Sequence, residues 1–152
     1  MIIFVVPDLH GRTCWQEPAQ AFLDAHGPAD QVVFLGDYVD SFEVDNEQQL
    51  CNFTDVVAFK KANPERVVLL LGNYCFQYLY LGTVKLFGFN EDLCPALHVY
   101  YMLHCDLFQV AHQVRDTLFV HAGLSQHWLD HHHPRISQRQ YALEAAGQRP
   151  AG

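Results

Sequence analysis

Asp8, His10, Asp37, Asn73 and His121 are the side chains of this chain best placed to do chemistry together. They stand in four short strings, Asp8-Leu9-His10-Gly11, Gly36-Asp37-Tyr38-Val39-Asp40, Gly72-Asn73 and Val120-His121-Ala122-Gly123, each of which follows an apolar run. A parallel sheet delivers residues to a common edge in this way. Asp8 and His10, one residue apart on an extended segment, point the same way and can grip one ion. Asp37 can bridge that ion to a second, and Asn73 and His121 complete part of the second site. Two ions about 3.5–4 Å apart hold a bridging hydroxide and clamp phosphate oxygens for in-line attack. Carboxylate, amide and imidazole ligands together suit manganese, iron or zinc better than calcium.

Each residue alone has an ordinary explanation. Asp-x-His and Gly-Asp are common turn chemistry, Asn73 after a glycine can occupy a left-handed turn, and a single His121 can be a hydrogen-bonded core residue. Their occurrence in order, each at the end of an apolar run, favours the metal reading. Arg12, just after the first string, is the nearest candidate for a phosphate contact.

The elements that must position these residues follow from periodicity. Residues 1–7 and 31–35 read as strands, and 66–71 as a third, almost wholly aliphatic as a strand covered on both faces should be. Helical spacing covers 16–26, with Ala19, Phe22 and Leu23 on one face and Gly27-Pro28 as a stop. A second helix over 47–62 aligns Leu50, Phe53 and Val57 and ends at Asn63-Pro64. The alternation predicts βαβ units and a largely parallel sheet. The stretch 76–89 is apolar without a clear period, 93–114 reads as one or two helices interrupted near His104, 117–121 as a strand, and 124–133 as a helix. Residues 134–152 are polar and tail-like, which sets the domain at 1–133. Tyr78, Tyr80, Tyr100 and Tyr101 read as core or lid packing, and Lys60, Lys61 and Arg66 as solvated charges.

Bulk properties agree with one domain. The chain has 152 residues, half of them apolar, and a formal net charge of −8, which disfavours nucleic acid as a partner. Cys14, Cys51, Cys75, Cys94 and Cys105 are odd in number and form no CxxC pair, so they read as buried reduced thiols of a cytoplasmic protein. The apolar start Met1–Val6 has no basic flank and stops at Pro7-Asp8, so it reads as a buried strand rather than a signal peptide. No stretch approaches the roughly 20 apolar residues needed to cross a membrane.

The four strings resemble the motifs of the calcineurin-like metallophosphoesterase superfamily, over about residues 1–130. Gly36 to Phe42 is closer to bacterial and phage members than to eukaryotic Ser/Thr phosphatases, which carry Arg-Gly where Ser41-Phe42 stand. The resemblance implies an α/β sandwich of two sheets flanked by helices and a phosphoesterase acting on phosphomonoesters or phosphodiesters. Phosphorylated small molecules or phosphoproteins would be its substrates. Asp8, His10 and Asp37 would hold one divalent ion, and Asp37, Asn73 and His121 the second. Asp40, closing the second motif, is a further catalytic candidate.

Two departures stand out. The family histidine after the asparagine, which helps protonate the leaving oxygen, is Tyr74 here, and its acidic neighbour is Cys75. Tyrosine is a poorer acid than imidazolium at pH 7, and losing a positioned general acid typically costs on the order of 10²–10⁴-fold in rate. The family's final Gly-His does not follow residue 123; His127 and His131–His133 read as a solvated cluster instead. The last strands are therefore expected to be missing, the second ion weakly held or absent, and self-association favoured by uncovered apolar surface. Two functions follow: a metal-dependent phosphoesterase, or a catalytically impaired relative serving as a metal-, phosphate- or protein-binding module.

Overall fold

The computed structural model describes residues 1–128, 130 and 131. Two units divide at residue 122, and the first, Met1–Ala122, carries the fold. Its centre is a parallel sheet of β1 (Ile3–Val6), β2 (Gln31–Phe34), β3 (Val67–Leu70) and the short β4 (Phe108–Gln109), in that spatial order. Helix α1 (Gln16–Ala25) links β1 to β2, and α2 (Asn46–Ala62) links β2 to β3. Helices α3 (Asn73–Leu79) and α4 (Cys94–Leu103), with a 3₁₀ turn at Cys105–Leu107, lie between β3 and β4. Strands β5 (Ala111–Val114) and β6 (Thr117–Val120) form a separate antiparallel pair.

Strand alternation divides the core into two layers. Val6, Val32, Phe34, Val67 and Leu69 point into the larger cluster, where Ala19 and Leu23 of α1, Phe53, Val56 and Val57 of α2, and Leu97 and Tyr101 of α4 meet them. The intervening Val33, Val68 and Leu70 form the second layer, with Ile3, Leu35 and Phe119 of β6 packed against them. Strands that advance in one direction through connecting helices place those helices on one face, because such crossovers share one hand. The other face is left for the β5–β6 pair, so the two-sheet sandwich expected from the sequence is present. Each fully buried Val or Leu contributes about 1.5–3 kcal/mol, which makes this aliphatic sheet the main stabilising element.

Local signals explain the helix ends. Asp45 Oδ1 accepts the Gln48 N–H at 2.8 Å and caps α2, whose last turn carries Lys60 and Lys61. Pro18 falls in the first turn of α1, where a missing N–H costs nothing.

Several expectations are corrected. Residues 108–114 form strands rather than helix; alternating exposure along 111–114, not a 3.6-residue repeat, is their signature. Lys60 and Arg66 are not solvated charges. Lys60 Nζ donates to the Pro64 and Val67 carbonyls at 2.6 and 2.7 Å, while Arg66 donates to those of Leu23, His26 and Asp30. The ammonium group thus joins the turn before β3 to the start of that strand, and the guanidinium joins the end of α1 to the turn before β2. Only Cys75 and Cys94 are buried; Cys14, Cys51 and Cys105 are exposed, and all five are free. Tyr78 and Tyr101 are core residues, whereas Tyr80 is exposed. Residues 126–128, 130 and 131 are helical, and the tail expected over 134–152 lies outside the described residues.

Candidate metal centre and active site

The loops after β1, β2 and β3 and the end of β6 supply the candidate ligands. Residues 9–12 turn rather than extend: the Asp37 carbonyl accepts the N–H of both Leu9 and His10 at 3.0 Å, and Arg12 N–H closes on the Leu9 carbonyl. His10 takes φ +45°, so its side chain is aimed by this turn and not by strand alternation. Asp37 also has positive φ, +49°, and follows Gly36 at φ +118°. The two glycines of this corner pack back to back: a Cβ on Gly36 would strike the Gly72 backbone, and one on Gly72 would occupy the place of Asp37 Oδ1. That close approach brings the second and third motifs together.

Asp8, Asp37 and His121 offer ligand atoms that all lie within 4.8 Å of one another. His121 Nε2 is 2.7 Å from Asn73 Oδ1 and 3.3 Å from Asp37 Oδ2, and its Nδ1 is 3.0 Å from the Leu35 carbonyl and 3.7 Å from Asp8 Oδ1. With the Nδ1 proton given to Leu35, the Nε2 lone pair faces two oxygen acceptors. Lone pairs converging without a proton between them fit a cation, and a backbone-anchored imidazole is the usual support of a metal ligand. His10 has the same kind of support, its Nδ1 3.0 Å from the Val39 carbonyl, but is not one of the three residues whose ligand atoms converge within 4.8 Å. The donor set therefore fits divalent metal. His121 arrives from the antiparallel pair, not from the edge of the parallel sheet.

Asp37 is nearly inaccessible, and burial pushes its carboxyl above the usual carboxylate range, against the opposing pull of His121 and of the Tyr74 N–H. Its Oδ1 accepts that N–H at 3.0 Å. Asn73, the first residue of α3, is exposed. Cys75 sits three residues after Gly72, and its Sγ accepts the Gly72 N–H at 3.3 Å, the place a carboxylate takes in a capping box. Burial pushes the thiol up to about 11, so this cysteine is a cap and not a nucleophile.

Asp40 is buried, bound by Gln77 Nε2 and by the Tyr78 hydroxyl. Burial raises its carboxyl from 3.8 to about 6, against both hydrogen bonds, which favour the charged form. A cleft of about 230 Å³ opens beside the site, lined by His10, Arg12, Asp40, Phe42, Glu43 and Tyr74 among others. Arg12 pairs with Glu43 at 2.9 Å, and the Tyr74 ring meets His10 edge-on at 5.6 Å between centroids.

Gln49 escaped the sequence reading. Its Oε1 accepts the N–H groups of Asp40 and Ser41 at 2.8 and 3.0 Å, and its Nε2 donates to the Val44 carbonyl at 2.7 Å. Gly11, at φ +77°, leaves room for it, since a Cβ there would lie 2.5 Å from Gln49 Cγ. A polar residue amid the apolar face of α2 is the one sequence sign of this role.

A model of the calcineurin-like phosphoesterase family, Metallophos, matches residues 1–148. The chain belongs to that family. No curated protein and no solved structure matches it. Membership in the calcineurin-like phosphoesterases accounts for the order of the motifs, the two-sheet architecture and the clustering of Asp8, Asp37 and His121. Among the described residues no helix is long and apolar enough to cross a membrane.

Proposed function

We propose that this chain is a metal-dependent phosphoesterase hydrolysing phosphomonoesters or phosphodiesters of phosphorylated small molecules or phosphoproteins. The observation that carries this reading is the convergence of Asp8, Asp37 and His121, with Asn73 Oδ1 2.7 Å from His121 Nε2. Asp8, His10 and Asp37 would hold one divalent ion, with manganese, iron and zinc the best suited, and Asp37, Asn73 and His121 a second, weaker one. Bound there, such ions polarise water and neutralise phosphate oxygens. Arg12 orients the phosphate by exchanging Glu43 for one of its oxygens, and Tyr74 holds the proton for the leaving oxygen. Asp40 fixes the loop that carries Asp37. Five unpaired cysteines support a reducing, cytoplasmic setting. Exposed Val5, Val110 and Leu118 support self-association. The domain proper is residues 1–133.

A second reading is favoured by Cys75. A thiol in place of the acid keeps the helix cap and leaves the fold intact whether or not the reaction runs, as in a binding module without turnover.

The test is metal content of the purified chain together with nitrophenyl-phosphate hydrolysis, with and without added manganese. Close to two metals per chain, with turnover abolished in Asp37→Asn, supports the enzyme. Metal bound without turnover supports the binding module, and the absence of both metal and turnover overturns the enzyme.

A further inference from the structure

Phe42 and Phe87 are 75% and 83% exposed, yet they pack on each other with ring centroids 5.4 Å apart and planes tilted by 44°. Phe42 also lines the cleft beside the candidate metal centre, with Tyr74 and the Arg12–Glu43 pair.

The segment carrying Phe87 is pinned on both sides. Leu86 N–H donates to Gln77 Oε1 at 3.0 Å, Lys85 pairs with Glu91 at 2.6 Å, and Phe89 stacks on the buried Tyr78 at 5.5 Å. Gly88, at φ +89°, turns the chain so closely under Phe42 that an added Cβ would meet Phe42 Cζ at 3.0 Å. The two phenyl rings are thus held in place while their faces remain in water, a costly disposition for large apolar groups. Through Phe42 this pair borders the cleft that also holds the Tyr74 ring and the Arg12 guanidinium, a cation of the kind that recognises phosphate.

We infer that Phe42 and Phe87, with Tyr74, form a subsite for a planar aromatic group on the alcohol side of the phosphate ester, so that the substrate class is aryl or arylmethyl phosphates. The inference rests on the phosphoesterase reading. An aromatic ring gains offset or edge contacts with these side chains that a saturated ring of similar size does not.

The experiment is calorimetric titration of the full, manganese-loaded chain with methyl-, cyclohexyl- and phenylphosphonate, which need no turnover. The phenyl compound is expected to bind roughly 3–10-fold tighter than the cyclohexyl one. That ratio should fall to about one in Phe42→Leu and in Phe87→Leu, which keep apolar bulk. Equal affinities in the parent, or a ratio unchanged in both variants, overturns the aromatic subsite alone. Failure of every phosphonate to bind overturns the phosphoesterase reading with it. In the active enzyme, kcat/KM for benzyl phosphate should exceed that for cyclohexylmethyl phosphate through KM, since the two leaving alcohols are similarly basic.

Discussion

The backbone N–H of Tyr74 donates to Asp37 Oδ1 at 3.0 Å, so the residue that departs from the family motif still fixes the carboxylate at the centre of the site. The contact is made by the main chain at the start of α3. Exchange of the side chain from imidazole to phenol therefore leaves this main-chain contact with Asp37 in place.

Tyr74→His is expected to raise turnover where the leaving group is poor and to change it little where the leaving group is good. For an alkyl phosphate the gain should be on the order of 10²-fold, the lower end of what a positioned general acid supplies. Nitrophenyl phosphate, whose leaving oxygen needs no proton, should gain less than a few-fold on that argument. Steady-state kinetics on the two substrates checks this, and equal gains on both would place the role of residue 74 elsewhere.

Gln49 satisfies two loop N–H groups and two loop carbonyls, those of Ser41 and Val44, from within the core. Gln49→Leu keeps the volume and removes the acceptor, leaving the Asp40 and Ser41 N–H groups without a protein partner. The expected cost is about 2–4 kcal/mol, read as a lower urea midpoint with the denaturant slope unchanged. Metal affinity should weaken as well, because the same loop begins at Asp37. A loss of stability with metal binding intact would separate the two roles.

Asp40 gives stability a defined dependence on pH. Its carboxyl is raised from 3.8 to about 6 in the folded chain, so between those values the native state holds a proton that the unfolded state has released. The contribution of this group is therefore full below about pH 4 and is lost as pH rises through about 6. Asp40→Asn removes the titrating group and keeps one oxygen able to accept from Gln77 Nε2. The difference in melting temperature, variant minus parent, should climb between pH 4 and pH 6.5 and level off above. A flat difference across that range would mean that the hydrogen bonds from Tyr78 and Gln77, and not burial, set the charge of Asp40.

The sequence by itself determined the first three strands of the parallel sheet, the two helices that link them and which residues are candidate ligands. Aliphatic runs such as Val67–Leu70 admit few alternatives once covered on both faces, and Gly-Asp or Gly-Asn at their ends marks where the chain must turn. It also marked Tyr74 and Cys75 as departures, since both are read by position alone. Tertiary structure decided how those residues meet. The strands at 108–114 were hidden because a two-residue strand and a short polar–apolar alternation carry too little pattern to outweigh the helical stretch before them. The aim of His10 came from the Asp37 carbonyl, 27 residues away in the chain, and the cap made by Cys75 and the grip of Gln49 on the Asp40 loop likewise depend on partners that spacing does not name. Local sequence fixes which groups are available, whereas distances between loops of different strands are set by how the sheet packs, and the candidate metal centre lies in those distances.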